Sequence, residues 1–352
     1  MASTTAAVSE VALRSGGARP MPAIGMGTAK FPAVAETTVK AVLEAVEVGY
    51  RHFDTAAMYA TERPLGEALA EAVRRGLLAS REEVFVTSKL WYTQCHPQLV
   101  LRSLRESLQN LQMEYVDLYL IHWPISLKPG PAVFPVKRDA AVPFDFEGVW
   151  RAMEECHRLG LAKAIGVSNF TTSHLHKLLA AATVPPAVNQ VEMNPVWQQR
   201  KLRGYCAEKG IHVAAYSPLG GQNWSGDGNA VLDSEVLAEI ARARGKTVAQ
   251  VALRWIYEQG VTPIVKSFSK ERLRRTSGSS TGGSPTTTCA RSARFRRRRS
   301  SKLQACCSRQ RASSRRLTSQ TWKLSRNKIG TQKVRVPASL CDVVVNYSSS
   351  LL

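Results

Sequence analysis

The chain has 352 residues, 44% of them hydrophobic, with 48 Lys and Arg against 27 Asp and Glu, a formal net charge of +21. That length is ample for a barrel core, and no apolar run approaches the ~18–20 residues that cross a bilayer. The charge is uneven: residues 271–352 hold 19 basic residues and only Glu271 and Asp342 as acids, a net of +17, whereas residues 1–270 carry +4. Seven scattered cysteines without a CxxC pair fit a reducing cytosol. The opening MASTTAAVSE lacks the basic-plus-apolar pattern of a secretory signal. Its Ala, Ser and Thr have a transit-peptide flavour, but Glu10 and a fold beginning at Val11 argue against that, so a cytoplasmic monomer is expected.

Val11 to Pro20 reads as a hairpin with Gly16-Gly17 at its turn. Strand and helix signals then alternate. Ile24–Thr28 is a strand and Glu36–Glu47 a helix stopped by Gly49; a second strand ends at Asp54 and Glu62–Arg75 is helical. Val84–Ser88 leads to Lys89, Pro97 opens a helix to Leu111, and Val116–Ile121 leads to His122. A Pro-rich loop runs to Phe146. Helix Glu147–Leu159, strand Ala162–Ser168, helix Thr172–Ala182, strand Ala187–Glu192, helix Gln198–Lys209 and strand Ile211–Tyr216 follow. Two helices, Ser234–Arg244 and Val248–Gln259, precede an eighth strand at Thr262–Ser267. The alternation predicts a parallel α/β fold, either a closed (β/α)8 barrel or an open sheet.

Asp54, Tyr59, Lys89 and His122 stand at or just beyond successive strand ends. In a parallel barrel such ends converge on one face, and a carboxylate, phenol, ammonium and imidazole meeting there make a proton-transfer site. Singly, a Tyr, Lys or His at such a place is more often a solvated surface group, and Asp54 a buried structural acid. Together, within GYRHFDTAAMY, VTSKLW and LIHWP, they resemble the catalytic tetrad of the aldo-keto reductases. The resemblance runs from about Val11 to Arg272 and implies a (β/α)8 TIM barrel that reduces carbonyls with NADPH and needs no metal. It implies that Tyr59 is the general acid, Lys89 its tuner, Asp54 the partner of Lys89, and His122 the group that orients the substrate oxygen.

For the cofactor, the resemblance implies Gly27 and Thr28 after the first strand. Ser168, Asn169 and Gln190 suit the nicotinamide carboxamide, and Tyr216 the ring stacked on it. Ser217, Pro218, Leu219 and Gly220 correspond to a loop over the pyrophosphate, and Lys266, Ser267 and Arg272 to the grip on a 2′-phosphate. Gly25-Met26-Gly27 is no dinucleotide fingerprint, since the third glycine is lacking. Arg275-Thr276 replaces the Glu-Asn that the family sets against adenine. Met58, Trp91 and Trp123 are the expected substrate wall, with Phe31 and Trp224 behind them.

TERPLGEA, KPGPAVFP, VPFDFEGVWRAMEEC and GGQNW resemble the plant members of the family, the grass deoxymugineic acid synthases especially. Those reduce a keto group on a carboxylate-rich, nicotianamine-derived intermediate in phytosiderophore synthesis. General aldehyde or ketone reduction is the alternative substrate reading. The domain reading is a flexible 1–10, a barrel over 11–272 and a disordered basic tail over 273–352, with the eighth helix missing: Glu271 to Arg275 begins like one, but Thr276 to Pro285 cannot sustain it. Read one base earlier from plausible codons, residues 275–282 become ENLGIFDW and residues 308–314 SPEGEF, phrases similar to the family's own, so the tail is expected to be a frameshift product. A barrel lacking that helix would bare the flanks of its first and eighth strands, and an inactive pseudoenzyme is a further reading. The tail as a nucleic-acid tether is disfavoured: its 19 bases could bind phosphates, but no aromatic interleaving or recognition motif accompanies them.

Overall fold

The computed structural model describes residues 9–14, 18–130, 140–221 and 228–277. Trp224, the Gly16-Gly17 turn and the tail beyond residue 277 lie outside the described residues. Glu10–Val11 (β1) pairs antiparallel with Met21–Pro22 (β2), giving the expected N-terminal hairpin.

Eight parallel strands close a barrel. In chain order they are Gly25–Gly27 (β3), His52–Asp54 (β4), Phe85–Leu90 (β5), Val116–Ile121 (β6), Ala162–Ser168 (β9), Val188–Glu192 (β10), His212–Tyr216 (β11) and Thr262–Val265 (β12). The helices between them are Ala35–Glu47 (α1), Glu62–Arg74 (α2), Pro97–Leu111 (α3), Phe146–Arg158 (α4), Thr172–Leu179 (α5), Arg200–Lys209 (α6), and the pair Glu235–Arg244 (α7) and Val248–Glu258 (α8). A short ribbon, Ser126–Leu127 (β7) with Ala141–Val142 (β8), interrupts the Pro-rich loop. It was not foreseen, since two-residue strands leave no periodic pattern.

Strand residues alternate between two apolar regions, as the period of two dictates. Phe53, Val86, Tyr119, Ile165 and Val191 face the helices, whereas Phe85, Leu118, Leu120, Ala164 and Val188 form a separate buried cluster. A barrel interior is a packed core rather than a pore, so only residues at the upper strand ends reach the mouth. Helices pack tightly on the outside. An added Cβ at Gly66 in α2 would run into the Leu111 carbonyl at the end of α3, so glycine here permits close approach.

The expectation of a missing eighth helix is corrected. Lys270–Ser277 (α9) follows β12 and carries the barrel past Arg272. Its Leu273 is fully buried, and Thr276 Oγ1 lies 2.6 Å from the Tyr50 hydroxyl. Thr276 also caps the helix by donating to the Leu273 carbonyl at 2.9 Å. Lys270 to Arg275 are good helix formers, and one deeply packed leucine and a tertiary hydrogen bond anchor the helix they start. The outer faces of the first and eighth barrel strands are correspondingly covered: Met26 and Val265 are buried in the same cluster as Leu273.

Candidate active site

Alternation along β4 and β5 sends Asp54 and Lys89 inward at the upper end of the barrel. Lys89 is fully buried and its Nζ donates to Asp54 Oδ1 at 2.5 Å and to the Thr55 carbonyl at 2.9 Å. The other carboxylate oxygen of Asp54 accepts from Gln190 Nε2 at 2.7 Å. A buried ammonium is tolerable only when paired and hydrogen-bonded in this way. Burial pulls the Lys89 ammonium below the ordinary lysine range, and Asp54 opposes that pull.

Tyr59 ends a single helical turn, Ala57–Tyr59, and Ala60 behind it takes a left-handed conformation at φ 55°. Lys89 Nζ stands 5.1 Å from the centroid of the Tyr59 ring. The Tyr59 hydroxyl lies 3.3 Å from Nε2 of His122, which follows β6. Burial and the Lys89 charge push His122 well below the usual imidazole range, so the ring is neutral. Its Nδ1 is buried with no partner among the described residues. A proton there would be an orphaned donor, which costs more than an orphaned lone pair. Nε2 therefore carries the hydrogen and donates towards the Tyr59 oxygen.

The other side of the mouth is neutral. Asn169, left-handed at φ 64° after β9, donates from Nδ2 to the His122 carbonyl at 2.9 Å and to Ser168 Oγ at 3.1 Å. Its Oδ1 accepts from the Tyr216 hydroxyl at 2.8 Å. Ser168 Oγ donates to the Gln190 carbonyl at 2.8 Å. The structure thus gathers Ser168, Asn169, Gln190 and Tyr216 and ties them to the charged quartet. Gly27 pairs with Asp54 across β3 and β4. The Thr28 hydroxyl is turned inward, 2.8 Å from that of Thr61, which in turn lies 3.0 Å from that of Thr55. Thr55 and Thr61 were not singled out from sequence, although as threonines flanking Tyr59 they could have been.

Ser217 is left-handed at φ 48°, and Asn229 Nδ2 holds the Leu219 carbonyl at 2.9 Å. Asn229, another supporting residue missed from sequence, also accepts from the Val231 amide at 3.0 Å. Beyond β12, Lys266 is exposed and Ser267 Oγ accepts from the Ser269 amide at 3.2 Å. Arg272 is exposed on α9, apart from the quartet. Met58 and Trp123 pack on buried Trp91 and Tyr92 under Leu127, and the Trp91 ring is 5.0 Å from that of His122. Phe31 is half exposed and meets Tyr59 edge-on at 6.3 Å.

These donors suit a nicotinamide dinucleotide. Lys30 and Lys266 share one rim closely enough that the Lys30 charge, after desolvation, lowers Lys266 below the usual lysine range. No carboxylate is paired with either among the described residues, and two unneutralised cations are the chemistry a phosphate requires. No group of His, Cys, Asp and Glu among the described residues forms a metal cage, and no helix there is long and apolar enough to cross a membrane.

A closed parallel barrel is the fold expected from the sequence, and its mouth holds an ion-paired lysine, a tyrosine and a histidine. The pattern of the Aldo/keto reductase family matches residues 23–281, and the chain belongs to that family, oxidoreductases acting on carbonyl groups that use a nicotinamide cofactor. Among its relatives, deoxymugineic acid synthase 1-D of Triticum aestivum is 62% identical over 256 residues, 72% of this chain and 81% of that protein. The (1S)-1,7-diacetoxy-luvungin A aldo-keto reductase of Citrus sinensis is 58% identical over 257 residues, 72% of this chain and 80% of that protein. The D-galacturonate reductase of Fragaria ananassa is 56% identical over 256 residues, again 72% and 80%.

Proposed function

We propose that this protein reduces a keto group to an alcohol with NADPH, in the manner of a deoxymugineic acid synthase acting on the nicotianamine-derived keto intermediate. The observation that carries the reading is the buried Lys89–Asp54 pair beneath Tyr59, with His122 Nε2 3.3 Å from the phenol oxygen. NADPH, when bound, supplies a hydride to the carbonyl carbon. Tyr59 delivers the proton to the carbonyl oxygen, since an ammonium beside a phenol favours release of the phenolic proton. Asp54 fixes the ammonium, and His122, neutral and protonated on Nε2, donates to the same carbonyl oxygen and sets its direction.

Ser168, Asn169, Gln190 and Tyr216, with Gly27 and Thr28, form the nicotinamide end of the cofactor site. Ser217 and Leu219 lie over the pyrophosphate, while Lys266, Ser267 and Arg272 favour the 2′-phosphate of NADPH over NADH. Met58, Trp91 and Trp123 wall the substrate. Two relatives are named for carboxylic acids, one for its product deoxymugineic acid and one for its substrate galacturonate, which supports an acidic keto substrate. The protein is read as a cytoplasmic monomer, and residues from about 275 onward as an out-of-frame product, which sequencing the transcript across codons 274–276 checks.

Loss of nicotinamide absorbance is measured with NADPH and either the keto intermediate or a simple aldehyde, in wild type and Tyr59→Phe. Turnover of the keto intermediate, abolished by Tyr59→Phe, is expected. Turnover of simple aldehydes alone makes the protein a general reductase. A folded, cofactor-competent wild type no faster than Tyr59→Phe on either substrate rules out the catalytic reading.

A further inference from the structure

Glu62 opens α2 three residues after Tyr59 and is only 3% exposed. A first-turn glutamate on an outer helix ordinarily faces water, where it complements the helix N-terminus. This one is turned inward. Its Oε1 accepts from Ser88 Oγ at 2.6 Å and its Oε2 from Asn110 Nδ2 at 3.3 Å. The glycine at position 66, one turn further on, brings α2 close enough to the end of α3 for the Asn110 contact. Ser88 precedes Lys89 in β5, and adjacent strand residues face opposite sides. One buried ammonium is therefore flanked by two carboxylates, Asp54 inside the barrel wall and Glu62 behind it. A glutamine accepting from Ser88 and donating to a reversed Asn110 amide would also fill the place, so hydrogen bonding alone does not account for a charge whose burial is costly.

We propose that Glu62 is a positioning residue of the proton-transfer site: held behind β5 by Ser88 and Asn110, its carboxylate supplies the second negative charge that keeps Lys89 an ammonium and governs how readily Tyr59 gives up its proton. What the site does with that proton rests on the reductase reading above; the charge coupling does not. Lys89 is faced by Asp54 and His52 from β4, Tyr59 from the following turn and His122 from the end of β6, while Ser88, Asn110 and Tyr119 surround Glu62. Of these, the two carboxylates oppose the desolvation that pulls Lys89 down, Asp54 more strongly and Glu62 less.

Glu62→Gln removes the charge; its Oε1 still accepts from Ser88, and its Nε2 donates to Asn110 Oδ1 once the Asn110 amide turns over. With tyrosines labelled with carbon-13 at Cζ, the Tyr59 resonance is identified by its loss in Tyr59→Phe and titrated in wild type and E62Q. The pH profile of NADPH-dependent reduction is followed alongside. Asp54, the stronger partner, still holds Lys89 as an ammonium, so loss of the Glu62 charge moves the Tyr59 titration to lower pH, and its midpoint and the basic limb of kcat/KM are expected to fall by about 0.5–1 pH unit. A carboxylate of purely structural value would lower Tm and leave the midpoint in place, and that result overturns the proposal. If E62Q does not fold, Asn110→Lys, at a half-buried position on α3, neutralises the carboxylate where it stands; the same downward shift is expected, and an unmoved midpoint again overturns it. A midpoint that moves in a protein reducing no carbonyl leaves the coupling standing and removes the reductase reading.

Discussion

The two halves of the barrel treat buried polarity differently. The first four strands, β3 to β6, present the ionisable groups Asp54, Lys89 and His122, with Tyr59 beside them. The last four, β9 to β12, present amides and hydroxyls: Ser168, Asn169, Gln190 and Tyr216. Charge in the first half is bearable because Lys89 and Asp54 neutralise one another at 2.5 Å. Polarity in the second half is bearable because each group is hydrogen-bonded to a neighbour. Proton handling can thus be confined to one wall while the opposite wall holds and orients. Besides the sheet ladders that close the barrel, side-chain bonds at the mouth join the halves, Gln190 to Asp54 and Asn169 to the His122 carbonyl.

The harshest break of this division is Lys89→Met. It strands the Asp54 carboxylate in the interior with Gln190 as its side-chain partner, and the expected cost is about 3–5 kcal/mol in a urea melt. The folded fraction should lose about a thousandfold in kcat. Acid attacks the interior more evenly. His52 is buried and His212 half-buried, and desolvation lowers each to about 4. Each is neutral in the folded chain but titrates near 6.5 when unfolded. Their stabilising effect is therefore complete above pH ~6.5 and is lost as pH falls through about 4, at about 3 kcal/mol for each ring. Tm measured from pH 7 to 4.5 should fall steeply, and His52→Gln should flatten part of that slope.

Gln190→Ala sharpens the comparison, because this residue belongs to the neutral half yet bonds the charged one. A loss of about 1–3 kcal/mol is expected, the penalty for a hydrogen bond to a charged group. If the bond to Asp54 dominates, kcat falls more than the KM for NADPH rises; the reverse split would place Gln190 wholly with the cofactor. Tyr216→Phe is the mildest test. It removes only the hydroxyl bonded to Asn169, about 1 kcal/mol, and should raise the KM for NADPH about fivefold with little change in kcat.

Much of this was readable in the chain. Asp54, Lys89 and His122 end apolar runs, and a parallel barrel delivers such ends to one face whatever the helices do. What stayed hidden depended on contacts between elements. Nothing in ERPLGEAL marks Glu62 as buried, since its environment is fixed by how closely Gly66 approaches α3. Lys270 to Arg275 favour helix locally, but what carries α9 through Thr276 is that Leu273 finds a socket and Thr276 meets Tyr50. Thr28 was read from resemblance as a cofactor contact, and its hydroxyl proves to be engaged with Thr61. The strap Ser126–Leu127 is held by Ser126 to the Cys95 carbonyl at 2.6 Å and by His96 to the Leu127 carbonyl at 2.7 Å, bonds that no periodicity announces.

The Gln190–Asp54 bond has a geometric consequence. In the closed strand order, β4 and β10 stand opposite one another, so this bond crosses the full bore as a strut. Any widening of the barrel at that height must snap it. A molecule settling into the mouth therefore meets a floor, and its reactive atom is stopped level with the phenol instead of sinking among the aliphatic side chains below.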